Sequence, residues 1–363
     1  MWRLIRPGAT SAPTNMKAQQ VLERYFQVVT GKCHAKFVIA NRFQGTFTRN
    51  EPLQKLWTTH EDLLKQYDHY EEQIDSKQIE LERQKRGNRS FLQLKIELAK
   101  RIIQNCEFCE RNCHVNRLDE QRGWCRVGKD FQVSTIFPHM GEEPELVPSG
   151  TVFTVGCNLK CLHCQNWSIS QHYERGKKFT PQMMAKAVDR LKMVGCRNLN
   201  MVGGDPTPYL HRWLDTFNLL DVNIATVWNS NSYYSETTAK LLAGLIDVFL
   251  LDFKYGNNRC AEELSCALRY WETCTRNHLY AQKHGELIIR VLILPEHNEC
   301  CTHPILSWIA KNLGPNVRLN LMDQYRPEWK ASQIPELRRR LTRREFDEAK
   351  QLAKDVGLTN VIT

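Results

Sequence analysis

The stretch that decides the fold is TVFTVGCNLKCLHCQNW, residues 151–167. Its first five residues are apolar or β-branched, which predicts a short buried strand. Three cysteines follow directly, Cys157, Cys161 and Cys164, in the spacing C-x3-C-x2-C. A closed zinc site and a ferredoxin-type 4Fe-4S cluster each use four protein ligands. Three thiols in one loop therefore indicate an iron–sulfur site in which one iron has no protein ligand and can bind a small molecule.

A zinc site is the alternative interpretation of this loop. His163 and His172 are the nearest residues that could supply a fourth ligand to the three cysteines. Cysteine and histidine together are common ligands of structural zinc.

The chain beyond residue 150 alternates between strand-like and helix-like segments. Six short apolar runs serve as predicted strands: TVFTV, NLNMV, IATVW, DVFLL, LIIRVLIL and VRLNLM. Helices are expected from Thr180, from about 208 and from Ser235, and then near 261–273, 303–312 and 343–355. Thr180 followed by Pro181 is typical of a helix start, and Thr342 with Glu345 has the spacing of a capping box.

Six strand–helix units predict an α/β fold with a parallel sheet. About 200 residues for six units suits a partial (β/α)6 barrel of the TIM type. Ligands of such folds bind at the carboxyl ends of the strands, where the three cysteines lie.

Four regions follow from the composition along the chain. They are a disordered leader at 1–15, a helical N-terminal region at 16–105, a small cysteine-rich metal-binding module at 106–148 and the barrel at 149–363. The helical assignment depends on apolar residues at helical spacing, among them Leu63, Tyr67, Ile74, Leu94 and Leu98.

The cysteine-rich module has a closed metal site as its expected content. Cys106, Cys109, Cys113 and Cys125 lie within twenty residues that are rich in turn-forming side chains. Four thiolates suit either zinc or an auxiliary 4Fe-4S cluster, and the spacing does not decide between them. The remaining cysteines show no ligand spacing, and the adjacent pair at 300–301 is interpreted as incidental; they are Cys33, Cys196, Cys260, Cys266, Cys274, Cys300 and Cys301.

Composition limits the class of protein. The chain has 363 residues, 42% of them hydrophobic, and no apolar run approaches the length of about 18 residues that a membrane helix needs. Fourteen cysteines in a large chain without a secretory signal favour metal ligation in a reducing compartment. We expect a cytoplasmic protein with no membrane partner; the acid-free basic leader leaves an organelle matrix as the alternative.

The net charge of +10 is concentrated in two segments, 83–90 and 326–345. A run of like charge is usually a solvated helix face, and its functional alternative is a surface that binds an anionic partner such as RNA.

The cysteine motif resembles the signature of radical S-adenosylmethionine (SAM) enzymes, with an aromatic ring, His163, just before the third cysteine. The resemblance implies a 4Fe-4S cluster on Cys157, Cys161 and Cys164 whose free iron binds SAM. It also implies reductive cleavage of SAM to a 5′-deoxyadenosyl radical that abstracts a hydrogen from a substrate.

Within this superfamily, residues 105–360 resemble pyruvate formate-lyase-activating-enzyme-like proteins, which are related to the activases of glycyl-radical enzymes. The resemblance is carried by CEFCERNCHVNRL, GWC, GEEP, GCNLKCLHCQN and LMDQYRP. It implies a flavodoxin or ferredoxin as reductant and a protein partner as substrate.

The same resemblance implies a set of residues that hold the cofactor. Gly203, Gly204 and Asp205 match a glycine-rich segment that contacts the SAM amino group, although an Asp stands where Glu is common. The other matches are Asn166, Asn229, Asp252, Lys254 and Arg290. Asn229 replaces an acid and Ser232 a glycine, which puts the activases' cation site in doubt. For Asp252 and Lys254, a simple salt bridge is the equal alternative.

Three functions follow as hypotheses. The first is a radical SAM enzyme acting on a protein that docks on the helical and cysteine-rich region. The second is an RNA-modifying radical SAM enzyme that uses the basic 326–345 segment. The third is a non-catalytic iron–sulfur or zinc scaffold or electron carrier. Residues 323–326 follow the last strand, and we expect them near the barrel mouth.

Overall fold

The computed structural model describes residues 15–172, 174 and 176–363. The leader predicted at 1–15 lies outside these residues except for Asn15, whose side chain caps the first helix. Within the described part of the chain, no helix is long and apolar enough to cross a membrane.

The N-terminal region is helical, as the apolar spacing predicts. Its helices are α1 (Met16–Val21), α2 (Glu23–Val29), α3 (Lys36–Ala40), α4 (Leu53–Asp75) and α5 (Phe91–Ile102). The predicted apolar stripe faces inward, since Leu63, Tyr67 and Ile74 of α4 are buried. One continuous core joins these helices to the sheet that follows.

A mostly parallel sheet of nine strands forms the rest of the molecule, in the order β3-β1-β2-β4-β5-β6-β7-β8-β9. The strands are β1 (Phe131–His139), β2 (Ser149–Thr154), β3 (Lys177–Phe179), β4 (Asn198–Gly203), β5 (Ala225–Ser230), β6 (Val248–Asp252), β7 (Glu286–Leu292), β8 (Arg318–Met322) and β9 (Val361–Ile362). The six predicted strands correspond to β2 and β4–β8, which pair in parallel in chain order. This arrangement confirms the α/β fold and is consistent with a partial barrel.

Helices alternate with the parallel strands. They are α6 (Trp167–Ser170), α7 (Pro181–Met193), α8 (Leu210–Leu219), α9 (Glu236–Leu242), α10 (Asn258–Ser265), α11 (Tyr270–His284), α12 (His303–Asn312) and α13 (Arg343–Asp355). Both predicted helix starts are confirmed. Thr180 caps α7 ahead of Pro181, and Thr342 forms the capping box with Glu345 at the start of α13.

Two elements differ from the prediction. The helix expected near 261–273 is split into α10 and α11, because Cys266 and Arg269 both adopt φ +52, which no helix accommodates. Strand β1 lies inside the segment assigned to the cysteine-rich module. It pairs antiparallel with β2 and extends the sheet beyond the six predicted strands.

The helical region covers the amino-terminal ends of the parallel strands. The Glu286 carboxylate, at the start of β7, accepts hydrogen bonds from the backbone N–H groups of Arg24 and Tyr25 at 2.7 Å. The Arg24 guanidinium also contacts Asp247, just before β6, at 3.0 Å. The carboxyl ends of the strands therefore lie at the end of the sheet away from these helices.

Candidate functional site

The three-cysteine loop leaves β2 at Gly156 and folds back over the sheet. Gly156 adopts φ +90, and a Cβ there would lie 2.9 Å from the carbonyl oxygen of Cys125. A hydrogen bond to a neighbouring helix holds the loop in place: the backbone N–H of Leu162, in the loop, donates to Leu264 O at 2.8 Å. Cys157 and Cys161 are buried, and Cys164 is partly exposed.

All three cysteines line a cavity of about 380 Å³ at the carboxyl ends of the parallel strands. The eight residues predicted to hold the cofactor line the same cavity: Asn166, Gly203, Gly204, Asp205, Asn229, Asp252, Lys254 and Arg290. They follow or end five different strands, so the fold brings together positions that are up to 124 residues apart in the sequence. Their role toward a cofactor stays a prediction.

Gly203 and Gly204 make the end of β4 fit against the cysteine loop. A Cβ on Gly203 would lie 2.2 Å from Thr154 N, and a Cβ on Gly204 would lie 2.0 Å from Gly156 O. Any side chain at either position would collide with backbone that has no room to move. The two glycines thus serve the packing of the loop as well as its approach to a ligand.

Asp205 is buried and joins two of the loops around the cavity. Its Oδ1 accepts from Thr207 N at 2.9 Å, and its Oδ2 accepts from the Ser230 hydroxyl and from Asn231 N at 2.9 and 3.0 Å. Burial raises the pKa of Asp205, although these hydrogen bonds act in the opposite direction. The carboxylate therefore positions the loop after β5 while facing the cavity.

Arg290 is fixed by two acids that the sequence prediction did not include. Its Nε and Nη2 donate to the two carboxylate oxygens of Glu143 at 2.7 Å, and Nη2 also contacts Glu142. Its Nη1 reaches Asn229 Oδ1 at 3.3 Å. Both acids belong to the GEEP segment, and His139 Nδ1 donates to Glu142 Oε1 at 3.0 Å.

The amide nitrogen of Asn229 has no hydrogen-bond partner among the described residues, although it is buried on the cavity wall. A buried donor without a partner costs about 1–3 kcal/mol. This atom therefore marks a place where a polar ligand would gain a contact.

Lys254 Nζ and Asp252 Oδ2 lie 2.7 Å apart and form a salt bridge. A salt bridge is one of the two interpretations that the sequence allows for this pair. Burial alone would lower the pKa of Lys254, but Asp252 and the thiol of Cys161 outweigh it and raise that pKa. Burial raises the pKa of Cys161, and the Lys254 ammonium opposes part of that rise. Lys254 thus stays charged beside the cysteines and favours their thiolate forms, which are the forms that bind iron.

Asn231 is a contact of the cysteine loop that the sequence reasoning missed. Its Nδ2 donates to Cys157 Sγ at 3.4 Å and to Asn158 Oδ1 at 2.7 Å. Next to it, Ser232 adopts φ +66 at the position where the resembling activases have a glycine. The replacement therefore keeps a glycine-like backbone, and the Ser232 hydroxyl donates to Asp252 O at 2.8 Å.

His163 lines the cavity as a neutral ring. Burial, Lys254 and His297 together lower its pKa to about 3. It packs near Tyr255 and Tyr325, while His172 packs near Trp167 instead. In the described ranges, neither histidine joins these cysteines in a group of three donor atoms within 4.8 Å of one another, which weakens the zinc interpretation of the loop.

The second cysteine cluster is directly beside the first. The four cysteines of this cluster are neighbours: Cys106, Cys109, Cys113 and Cys125. Burial raises the pKa of Cys109 most, and each of the other three cysteines adds to that rise. Arg111 of this module donates to Asn158 O at 3.0 Å, one residue from Cys157. The buried Arg117 also reaches Cys106 Sγ at 3.7 Å.

The residues that follow β8 lie partly at the cavity and partly away from it. Gln324 lines the cavity, whereas Tyr325 is buried and donates its hydroxyl hydrogen to Leu337 O at 2.7 Å. Arg326 pairs with Glu328 at 3.1 Å. Only part of the predicted mouth segment therefore faces the cavity.

Comparison with known proteins assigns the chain to a family. Residues 151–309 match the radical SAM superfamily model. The uncharacterized protein MJ0674 of Methanocaldococcus jannaschii is 43% identical over 343 residues, which cover 93% of this chain and 98% of the relative. This chain belongs to the radical SAM superfamily.

Two further similarities are weaker. The uncharacterized protein MJ0808 of the same organism is 25% identical over 257 residues, covering 63% of this radical SAM protein and 73% of the relative. The crystal structure of Streptococcus suis SuiB bound to S-adenosylmethionine is 15% identical, with a TM-score of 0.42. That match covers 57% of this chain and 48% of SuiB, so the chain spans about half the length of that protein.

Proposed function

We propose that this protein is a radical SAM enzyme that modifies a protein partner, in the manner of the glycyl-radical activases it resembles. The observation that carries the proposal is a single cavity lined by Cys157, Cys161 and Cys164 together with all eight residues predicted to hold the cofactor. When bound, the 4Fe-4S cluster and SAM supply a 5′-deoxyadenosyl radical that removes a hydrogen atom from the substrate.

The residues present fit these groups. Three thiols lie at one cavity, and the unpartnered amide of Asn229 faces it. The cavity volume of about 380 Å³ is within the range of about 300–1,000 Å³ that small-molecule sites occupy. Both acidic and basic side chains line it, which suits a ligand that carries both an amino and a carboxylate group.

This chain's own residues would tune the site. The N–H···S hydrogen bond from Asn231 to Cys157 is the kind of contact that raises the reduction potential of an iron–sulfur centre. Lys254 supplies positive charge beside Cys161, and the salt bridge to Asp252 holds it in place.

For the cysteine-rich module, we propose an auxiliary 4Fe-4S cluster rather than zinc. Thiolates on one zinc ion lie about 3.8 Å apart, which follows from bonds of about 2.3 Å and tetrahedral angles. Among the described residues, no three of these four thiols have sulfurs within 4.8 Å of one another, so they are spaced for something larger than one ion. A cluster there would give electrons from a flavodoxin or ferredoxin an entry beside Cys157.

A protein substrate is favoured by the surface next to the cavity. A groove of about 1060 Å³ runs along the outer side of β1 and α7. It has apolar walls that include Ile136, Phe137 and Met183. The Phe137 ring meets the ring of His139 edge to face, and His139 lines the cavity, so the two surfaces adjoin. A partner would approach here, because the helical region covers the opposite ends of the strands.

RNA receives less support because several cations of its predicted binding segment are paired with carboxylates. Within 326–345, Arg339 pairs with Glu345 at 2.8 Å and Arg344 pairs with Glu348 at 3.0 Å. Guanidinium groups already held by carboxylates have less to gain from phosphates.

The proposal is tested with a fully deuterated, dialysed macromolecular extract of the source organism. The reconstituted enzyme, SAM and reductant are added anaerobically, and 5′-deoxyadenosine is analysed by mass spectrometry. We expect deuterium in the product, retained after ribonuclease treatment of the extract and lost after protease treatment. Loss after ribonuclease with retention after protease would identify RNA as the substrate and overturn the proposal.

A further inference from the structure

A third group of metal-binding side chains lies outside both cysteine clusters. Cys260 is on α10, and Cys300 is in the single π-helical turn Asn298–Thr302 that follows β7. With His297, these residues place one sulfur or nitrogen donor each within 4.8 Å of one another. It is the one such group of three among the described residues, and the sequence spacing gave no sign of it.

The spacing of the sulfurs suits a single ion. Cys260 Sγ and Cys300 Sγ are 3.8 Å apart, and Cys300 Sγ and Cys301 Sγ are 3.9 Å apart. Two thiolates bound to one zinc ion are about 3.8 Å apart, whereas a disulfide bond is about 2.05 Å long. The thiols are thus placed for a shared ion without being bonded to each other.

His297 is oriented as a ligand. Its Nδ1 lies 2.7 Å from the carbonyl oxygen of Pro295, which can only accept a hydrogen bond. In the neutral ring, Nδ1 therefore carries the proton and Nε2 has the free lone pair. A metal-bound histidine almost always donates its other ring N–H to a carbonyl or carboxylate in this way.

The surroundings hold the two thiols in place. Asn257 Nδ2 donates to Cys260 Sγ at 3.3 Å and to Cys300 O at 2.7 Å, which ties α10 to the π-helical turn. The side chains of Cys260 and His297 are buried, so an ion there would be shielded from solvent.

We propose that Cys260, His297 and Cys300 form a mononuclear zinc site, with the thiol of Cys301 as the nearest donor for the fourth position. Two sulfurs and one imidazole nitrogen are ligands that zinc accepts in tetrahedral sites. Sulfurs this close together do not suit the corners of a 4Fe-4S cluster. In the other two cysteine clusters the sulfurs lie farther apart, and that spacing does not suit a single ion.

The site would join two loops that border the cavity. Gly256, in the loop after β6, lies against the π-helical turn so closely that a Cβ would be 2.7 Å from Cys300 O and 2.6 Å from Cys301 O. The loop after β6 begins with Asp252 and Lys254 of the cavity wall. A zinc ion would thus keep that wall in position from outside.

The first test is the zinc content of the full chain after anaerobic reconstitution with iron and sulfide in the presence of zinc, followed by desalting. We expect one equivalent of zinc in the wild type and its loss in the double variant Cys260→Ser, Cys300→Ser, with iron content unchanged. Cys266→Ser is the matched control, because Cys266 is exposed and close in sequence. Equal zinc in the double variant and the wild type would overturn the proposal.

A second measurement needs no variant and decides the matter if the double variant fails to fold. Zinc-edge X-ray absorption of the reconstituted wild type should show sulfur at about 2.3 Å together with nitrogen at about 2.0–2.1 Å. The site would be refuted if the protein retained no zinc. It would also be refuted by a zinc ligand shell made of sulfur alone, or by one that contains no sulfur. A Cys260–Cys300 disulfide in anaerobically purified protein would refute it as well. None of these results depends on SAM cleavage.

Discussion

At the scale of single residues, Gly204 controls how closely the cysteine loop meets the sheet. The space for its Cβ is taken by the carbonyl of Gly156, which itself directs the chain toward Cys157. The contact is between backbone segments, so no side-chain rotation can relieve a clash there.

We therefore expect Gly204→Ala to lower the free energy of unfolding by about 1–3 kcal/mol, the usual cost of overpacking. Chemical denaturation of the apo protein measures it. Gly128→Ala is the matched control, because a Cβ there meets only the flexible end of Glu120 at 3.4 Å. Equal stability of the two variants would show that the loop can shift to accept a methyl group.

The Arg290 network gives a pH-dependent prediction. Burial would raise the pKa of Glu142, but Arg290 and His139 outweigh it and lower that pKa from 4.5 to about 2. A carboxyl group with a lowered folded-state pKa stabilises the fold above its unfolded pKa, and this contribution is lost as the pH falls through the folded pKa.

Glu142→Gln should accordingly destabilise the apo protein at pH 7, by on the order of 1–3 kcal/mol. The difference from the wild type should shrink below pH 4.5 and disappear near pH 2. Urea denaturation of both proteins across this range measures it. A difference that does not change with pH would mean that Glu142 acts through packing rather than charge.

The residues of the site differ in how well a short sequence pattern identifies them. The cysteine motif and GGDPTP each lie within one short segment of the sequence, so a local pattern could identify each of them. Glu143 lies in GEEP, which the resemblance includes, but its contact with Arg290 and the contact of Asn231 with Cys157 could not be found in this way. Both contacts depend on which loops the fold brings over Arg290 and Cys157.

At the scale of elements, the helical region is anchored to the sheet by one nearly buried cation. Arg24 of α2 contacts Asp247 at 3.0 Å, Glu71 at 2.7 Å and Asp75 at 2.8 Å. Asp247 has almost no exposure, so it depends on Arg24 for compensation of its charge.

Replacing this cation should loosen the contact between helices and sheet. We expect Arg24→Leu to cost about 3–5 kcal/mol, because it leaves Asp247 buried without its partner. Arg83→Leu, which removes an exposed pair with Glu80, should cost less than about 1 kcal/mol. Thermal and urea unfolding compare the two. Similar costs would contradict the anchoring role of Arg24.

Elements with strong local signals were predicted well, and elements shaped by tertiary contacts were not. The capped helices α7 and α13 have their determinants within their own first turn. The break between α10 and α11 contains no Gly or Pro from which it could be predicted. Strand β1 was overlooked because it lies beside the cysteine-rich segment, although Phe131, Val133, Thr135 and Phe137 alternate as a strand does.

At the scale of the whole molecule, several cations of the two basic segments are paired with carboxylates. Besides the pairs within 326–345, Arg86 of the other basic segment pairs with Asp221 at 2.9 Å. The helices cover one end of the strands and leave the cavity and its adjoining groove at the other. This division favours a partner that contacts the apolar groove.

Weak binding to RNA is the corresponding expectation. Fluorescence anisotropy with labelled RNA should show no steep loss of affinity between about 50 and 200 mM salt, because Arg339 and Arg344 of the 326–345 segment are already held by carboxylates. An affinity that falls by about 1,000-fold over this range would instead indicate several phosphate contacts. It would favour the RNA-modifying function.

The most direct test of the central claim is SAM cleavage by the reconstituted, reduced protein. Wild-type protein and Cys161→Ala are incubated anaerobically with SAM and reductant, with Cys266→Ser as control, and 5′-deoxyadenosine is measured by chromatography. We predict product from the wild type and the control, and none from Cys161→Ala. No product from any of them, despite about four irons bound at the site, would contradict a catalytic role and indicate a scaffold or electron carrier.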